Sequence, residues 1–166
     1  MEARRDLILK LSRIIEKNKE LPEALQKLCD CLREDIPHFN WVGFYFMDQA
    51  REQLHLGPFS GASTEHKRIK VGEGICGQVA ESGQSYRVDD VSAESNYLAC
   101  SVETRSELVV PLYLQSNLLG QIDIDSHSPA AFTIDDEQLL TDLNKIIAVQ
   151  YGEELSAYAQ ELTQAP

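Results

Sequence analysis

The sequence predicts an α+β domain, in which one largely antiparallel sheet carries packed helices and further helices flank it at both ends. Apolar residues recur with helical spacing near the two ends of the chain and with strand spacing through its middle. Turn residues, many of them glycines, separate the central apolar runs. The 166 residues are enough for one domain with its own core, so we expect a single domain over 1–166.

Two amphipathic helices are predicted in the amino-terminal part, residues 1–36. Residues 4–17 carry an apolar stripe, and residues 22–34 carry a second one that begins with Pro22 in the first turn. Cys29 faces inward in the second helix, where a cysteine acts as a small hydrophobic residue. Cys31 lies on another face of that helix, and we assign it no role.

The middle of the chain, residues 40–126, is predicted to form the sheet and a ligand pocket. Glycines at 72, 74, 77 and 83 frame a short helix that begins near Ile75, and a polar loop covers residues 89–96. The predicted strands are 41–47, which is rich in aromatic residues, 54–58, 86–88, 107–114 and 119–125.

A carboxy-terminal helix is predicted over residues 134–160. Thr133 and Asp136 have the spacing of a capping box, in which each side chain bonds the backbone N–H of the other residue. Leu140, Leu143 and Ile147 then recur on one side of the helix.

The two late strands are predicted to pair as a hairpin whose register follows from their apolar residues. A three-residue loop over 115–117 pairs position 114 with 118, 110 with 122 and 108 with 124, so both stripes enter one core. A two-residue loop, Ser116-Asn117, would put the stripes on opposite faces. The stripes are the even positions Leu108, Val110, Leu112 and Leu114, and Leu118, Gly120, Ile122 and Ile124.

The same register brings three carboxylates together on the other face. It sets Glu107 opposite Asp125, and Val109 opposite Asp123. Three like charges at this spacing would raise at least one pKa, or would attract a cation or an ammonium group. The alternative is that these acids simply line a polar, solvated face of the sheet, and the pattern alone leaves both interpretations open.

Charge and composition exclude several classes of function. The net charge is −12, from 27 acidic and 15 basic residues, so the chain lacks the basic surface that nucleic acids and anionic membranes require. No apolar run reaches the length of a membrane span, and the charged first 20 residues do not resemble a secretory signal. We therefore expect a cytoplasmic protein, in which lasting disulfides are uncommon.

Two of the four cysteines are candidates for thiol chemistry. Cys76 stands just inside a predicted helix start, where backbone N–H groups favour a thiolate, although a buried core cysteine fits the same spacing. Cys100 closes the polar loop before the strand of Glu107. The pair would suit an attacking and a resolving thiol. None of the cysteines forms a C-x-x-C pair, and the histidines lack metal-ligand spacing, so no metal site is predicted.

Several stretches resemble the GAF domain, and more narrowly the free methionine-(R)-sulfoxide reductases that are built on it. The resemblance covers roughly residues 40–126, and the flanking helices are in the places the family expects. The pairing of NWVGFYF with LGPF, and the spacing of Cys100 to the three acids, are the more specific features. The shared stretches are NWVGFYF, LGPFSG, RIKVGEGICG, RSELVVP and LLGQIDIDS.

The resemblance implies a role for each candidate residue. Cys100 matches the nucleophile that attacks the sulfoxide sulfur, and Cys76 would resolve the oxidised product as a disulfide, unless an external thiol does so. A thioredoxin-type or small-thiol reductant would then restore the enzyme, without any bound cofactor. The remaining matches are the acids Glu107, Asp123 and Asp125, which bind the substrate and assist proton transfer, and Trp41 and Tyr45, which flank its methyl end.

The sequence departs from the family at three points. His66 stands where the family usually has a further cysteine, the loop reads Tyr97-Leu98-Ala99 before Cys100, and Ser101 replaces an aspartate. These changes favour an alternative function, a non-catalytic module that binds a small ligand for sensing or signalling. A homodimer through the terminal helices is a further expectation.

Overall fold

The structure, a computed structural model, describes residues 2–98 and 102–165. Cys100 and Ser101 lie outside the described residues, so the structure does not place the predicted nucleophile. In chain order the elements are α1 (Glu2–Lys17), α2 (Leu21–Asp35), β1 (Trp41–Asp48), β2 (Gln53–Ser60), β3 (Arg68–Lys70), α3 (Gly74–Ser82), β4 (Tyr86–Val88), a 3₁₀ turn (Val91–Ala93), β5 (Ser106–Leu114), β6 (Asn117–Ser126), α4 (Ile134–Tyr151) and α5 (Glu153–Gln164).

The six strands form one antiparallel sheet in the order β3-β2-β1-β6-β5-β4. The predicted α+β class with an antiparallel sheet is confirmed. Strand β3 was not predicted, because its one apolar residue, Ile69, stands between two charged residues. No helix in the described part of the chain combines the length and the apolar character that crossing a bilayer requires.

The carboxy-terminal segment differs from the single predicted helix over 134–160. It forms two helices, α4 and α5, separated at Gly152, whose φ of 51° lies in the left-handed region that favours glycine. The predicted capping box of Thr133 and Asp136 is present at the start of α4. The predicted stripe of Leu140, Leu143 and Ile147 is buried, so it was predicted correctly. The break after α4 was not predicted.

The larger core lies between one face of the sheet and the helices α1, α2, α4 and α5. The even positions in the inner part of the β5–β6 hairpin enter this core, as their alternation predicts: Leu108, Val110 and Leu112 of β5, and Ile122 and Ile124 of β6. The predicted pairing of Leu114 with Leu118 is wrong, because Leu114 pairs with Asn117 and Leu118 with Tyr113. The terminal helices bury Leu11 and Ile15 of α1, and Leu155 and Ala159 of α5, in the same cluster. Much of their apolar surface is thus covered within the chain itself.

The hairpin of β5 and β6 has the predicted register over its inner part. Leu108 pairs with Ile124 and Glu107 pairs with Asp125. The predicted three-residue loop is wrong, since β5 ends at Leu114 and β6 begins at Asn117. A bulge between Leu112 and Tyr113 supplies the missing offset, because a bulge sets two residues of one strand against one of the other.

Candidate functional site

The second face of the sheet carries the candidate site, and α3 packs over it. We call this surface the acid face. It is built from residues of β1, β6 and β5 that lie side by side in three successive rows. Across those strands the rows are Trp41–Asp125–Glu107, Gly43–Asp123–Val109 and Tyr45–Gln121–Pro111.

The three predicted acids are buried on this face. Glu107 is 2% exposed, Asp123 0% and Asp125 1%. The interpretation of a solvated polar sheet face is therefore wrong. The adjacent positions on the same strands point into the helix-covered core, so the acids point to the opposite face of the sheet. Because they are buried there as well, this second face is also an interior layer and not part of the surface.

The electrostatics of Glu107 follow from this burial. Loss of hydration raises the pKa of the Glu107 carboxyl well above its ordinary value, because burial disfavours the charged form. The charges of Asp123 and then Asp125 raise this pKa further, as does a hydrogen bond with Asp123. Charge repulsion, the cause expected from the sequence, is therefore the smaller contribution to the raised pKa, and desolvation is the larger. The site therefore contains a carboxylic acid that keeps its proton at higher pH than usual.

Cys76 contacts Glu107 from α3, the helix that packs over the acid face. It lies in the first turns of α3 and is 4% exposed, and its Sγ donates to Oε1 of Glu107 over 3.7 Å. The interpretation of Cys76 as a buried cysteine under the sheet is confirmed, and its thiol also contacts the predicted acid. One ligand atom each from Cys76, Glu107 and Asp123 lies within 4.8 Å of the others, close enough for these three side chains to hold a metal ion.

The aromatic side of the site is rigidly held. The Trp41 ring stacks on Phe59 at 5.5 Å between centroids, and its Nε1 donates to the carbonyl of Ala62 over 3.0 Å. The hydroxyl of Tyr45 donates to the backbone carbonyl of His66 over 2.9 Å. The residue that replaces the expected cysteine thus supports Tyr45 through its backbone, which any side chain at position 66 would allow.

The segment that leads to Cys100 is attached to the start of α3. Oδ1 of Asn96 accepts from the N–H of Gly74 at 3.2 Å, and its Nδ2 donates to the carbonyl of Gly72 at 2.7 Å. Leu98 lies against Gly74, where an added Cβ would come 3.1 Å from the leucine side chain. Sequence reasoning missed Asn96, because a loop asparagine has no period and its partners lie 22 and 24 residues away.

The structure brings six of the seven predicted site residues to one place. The acid face carries the five on β1, β5 and β6, and Cys76 approaches them from α3. The seventh, Cys100, lies outside the described residues. Since Glu107 follows Cys100 by seven positions, β5 begins soon after the predicted nucleophile.

Comparisons with known proteins place the chain in a family. A family model of the GAF domain matches residues 18–149. Over 121 residues the chain is 37% identical to the free methionine-R-sulfoxide reductase of Escherichia coli, covering 70% of this chain and 72% of that one. It is 40% identical to GAF domain-containing protein A of Dictyostelium discoideum over 125 residues, 74% of this chain and 76% of that one.

A solved structure resembles the chain over most of its length. Free methionine-R-sulfoxide reductase of Neisseria meningitidis, determined in complex with its substrate, superposes with a TM-score of 0.85 at 33% identity, covering 94% of this chain and 91% of that one. The matched family model, the antiparallel sheet and this likeness agree with one another. The protein belongs to the GAF domain family.

Proposed function

We propose that this protein is a cytoplasmic enzyme that reduces free L-methionine-(R)-sulfoxide to methionine. The observation that carries the proposal is the contact of a buried thiol, Cys76, with Glu107, a buried carboxyl whose pKa is raised. Reducing a sulfoxide requires thiols and a proton donor, and this site offers both. The reductases among its relatives support the same conclusion.

The acid face suits a free amino acid as the substrate. Asp123 and Asp125 are buried carboxylates, and a buried carboxylate is stabilised by a cationic partner such as the substrate's ammonium group. A methionine residue inside a protein has no such group. Trp41 and Tyr45 lie 6.4 Å apart between ring centroids and supply apolar surface for the methyl end of the substrate.

The first chemical step uses Cys100 and Glu107. The Cys100 thiolate attacks the sulfoxide sulfur, and Glu107 gives a proton to the sulfoxide oxygen, which makes that oxygen easier to lose. In net terms the thiol and the sulfoxide become a cysteine sulfenic acid and methionine. One oxygen atom moves from substrate to enzyme, so the substrate is reduced by two electrons and the cysteine is oxidised by two.

The second step closes a disulfide. The thiol of Cys76 condenses with the sulfenic acid of Cys100, which releases one water molecule and forms an S–S bond. A thioredoxin-type dithiol, or a small thiol, then reduces this disulfide by exchange. The cycle needs no bound cofactor.

The second candidate function is a module that binds the same ligand without turnover. It keeps the acid face and the aromatic walls but assigns no chemistry to the cysteines. His66, in the place of the family's further cysteine, favours this candidate, because it removes one recycling thiol.

One assay separates the two candidates. The reduced protein is incubated with L-methionine-(R)-sulfoxide and a thioredoxin system, and NADPH oxidation and released methionine are followed. The S epimer and N-acetyl-methionine-(R)-sulfoxide, which lacks the ammonium group, serve as controls. Turnover of the free R epimer alone supports the enzyme. Ligand binding by wild type and by Cys100→Ser, with turnover in neither, supports the binding module.

A further inference from the structure

Gln121 is a buried polar residue on the acid face that the proposed mechanism does not use. It lies in the third row of the face, between Tyr45 and Pro111, two residues along β6 from Asp123. It is 1% exposed, and within the described part of the chain its amide Nε2 has no hydrogen-bond partner. The side chain thus presents an N–H donor to the interior layer that contains the acids.

An amide donor in this position is costly without an acceptor. A buried polar group that makes no hydrogen bond destabilises the folded protein, because it has lost its hydration without replacement. The neighbouring groups that the structure describes do not supply the acceptor. Val109 and Pro111 have apolar side chains, and the Tyr45 hydroxyl is directed to the carbonyl of His66. A leucine would fill a similar volume without this cost, so the missing acceptor points to a bound molecule.

We propose that Gln121 is a specificity-determining residue that donates a hydrogen bond to the carboxylate of the substrate. This inference rests on the proposed function and extends it to the one charged group of the substrate that has no assigned partner. A carboxylate is the strongest acceptor on the free amino acid, and a neutral amide can bind it within an otherwise acidic site.

The spacing of the face fits this orientation. One side-chain ligand atom each from Cys76, Glu107 and Asp123 lies within 4.8 Å of the others. Gln121 lies one row further, about 7 Å along the strand from Asp123. Methionine sulfoxide has four bonds between its carboxylate carbon and its sulfur, roughly 5 Å when extended. A substrate with its sulfoxide at Glu107 and its ammonium at Asp123 therefore directs its carboxylate toward Gln121.

Gln121 acts in binding and not in the chemical step. It contacts the part of the substrate that does not react, so its loss raises KM and leaves kcat unchanged. It also discriminates among sulfoxides. An analogue without the carboxylate, 3-(methylsulfinyl)propylamine, gains nothing from the amide, whereas the amino acid does.

The test compares two substrates on three proteins. Wild type, Gln121→Leu and Gln121→Glu are assayed with L-methionine-(R)-sulfoxide and with the propylamine analogue. For Gln121→Leu we expect KM for the amino acid to rise about tenfold with kcat unchanged, and KM for the analogue to stay constant. Gln121→Glu should raise KM for the amino acid further, because its charge repels the carboxylate.

Two controls keep the result decisive. Thermal unfolding of Gln121→Leu should occur at or above the wild-type Tm, since a partnerless donor has been removed, and Gln121→Met replaces it if the leucine variant does not fold. Titration of the fluorescence of Trp41, the single tryptophan, reports ligand affinity directly.

The outcomes separate the inference from the proposed function. Equal changes of KM for both substrates, a change confined to kcat, or no change in either variant would overturn the role of Gln121. A wild-type protein that does not turn over methionine-(R)-sulfoxide at all would instead overturn the proposed function.

Discussion

The thiol of Cys76 lies 3.7 Å from Oε1 of Glu107, and both side chains are buried. The hydrogen bond from the thiol favours the charged form of Glu107, but burial and the neighbouring acids outweigh it and raise the pKa of the carboxyl. When Cys76 enters a disulfide, this small opposing effect is lost. The proposed resolving thiol and the proposed proton donor are thus in direct contact, and a change in one alters the other.

Replacement of Glu107 by glutamine removes the proposed proton donor at nearly constant volume. We expect kcat to fall at least about a hundredfold, the usual range for loss of a general acid. In wild type, kcat should decrease as the pH rises through the raised pKa of Glu107, because the protonated form is the active one. The pH profile of Glu107→Gln should lack this decrease. A wild-type profile that persists in the variant would exclude Glu107 as the donor.

Glu107→Gln should also change how the stability of the protein depends on pH. The native protein retains the Glu107 proton above the ordinary pKa of 4.5, where the unfolded chain has released it. The contribution of the Glu107 carboxyl to the free energy of unfolding is therefore fully present below pH 4.5 and is lost as the pH rises through the raised pKa. The glutamine variant has no such loss, so its Tm should gain on wild type between acidic and weakly alkaline pH, by roughly 2–4 °C for each kcal/mol that wild type loses. Thermal denaturation at several pH values measures the difference.

Replacement of Cys76 by serine should separate the first turnover from recycling. One methionine per chain is still released, but turnover with a protein dithiol falls about tenfold or more, because no internal disulfide can form. Cys31→Ser is the matched control, since Cys31 lies in α2 near Asp35, on the other side of the sheet, and should leave turnover unchanged. Recycling of Cys76→Ser at the wild-type rate would show that Cys100 is reduced directly.

Replacement of Asn96 by alanine should loosen the segment before Cys100. The change removes two hydrogen bonds, to Gly72 and Gly74, each contributing about 0.5–1.5 kcal/mol. We expect faster amide exchange over residues 94–98 and a larger effect on kcat than on KM. Asn96→Asp keeps the acceptor for Gly74 but not the donor for Gly72, and should give an intermediate exchange rate. Unchanged exchange in the alanine variant would contradict the prediction.

Replacement of Gly43 by alanine should displace Trp41. The added Cβ would overlap the Trp41 ring, which lies against this glycine, and would come 3.0 Å from Cβ of Phe59. We expect a loss of about 1–3 kcal/mol in the free energy of unfolding, weaker substrate binding and a shift in tryptophan fluorescence. Trp41→Phe in the same chain removes the clashing part of the ring and should recover stability. No recovery in the double variant would mean that another contact causes the loss.

The fold could be predicted from the sequence where a period was long enough to detect. The even-numbered apolar residues of β5 and β6 fixed the hairpin register, and this register alone placed Glu107 opposite Asp125. The turn was predicted wrongly, because a bulge and a longer loop produce the same offset. The break at Gly152 was missed, since apolar residues continue with helical spacing on both sides of it.

The site was predictable only in part. The resemblance indicated Trp41 and Tyr45. The burial of the acids depends on the packing of α3 over the sheet, and the alternation of residues in the strands does not predict that packing. Asn96 and Gln121 were not predicted, for different reasons. The partners of Asn96 are backbone groups far away in sequence, and Gln121 is a polar residue that only its burial makes unusual.

The central claim is that Cys100 takes the oxygen of the substrate and Cys76 resolves the product. A single-turnover experiment tests it most directly. One equivalent of L-methionine-(R)-sulfoxide is added to the reduced protein without a reductant, and released methionine and disulfide-linked peptides are measured by mass spectrometry. We expect one methionine per chain and a disulfide between Cys76 and Cys100. Bound sulfoxide with all four thiols still reduced and no methionine released would contradict it.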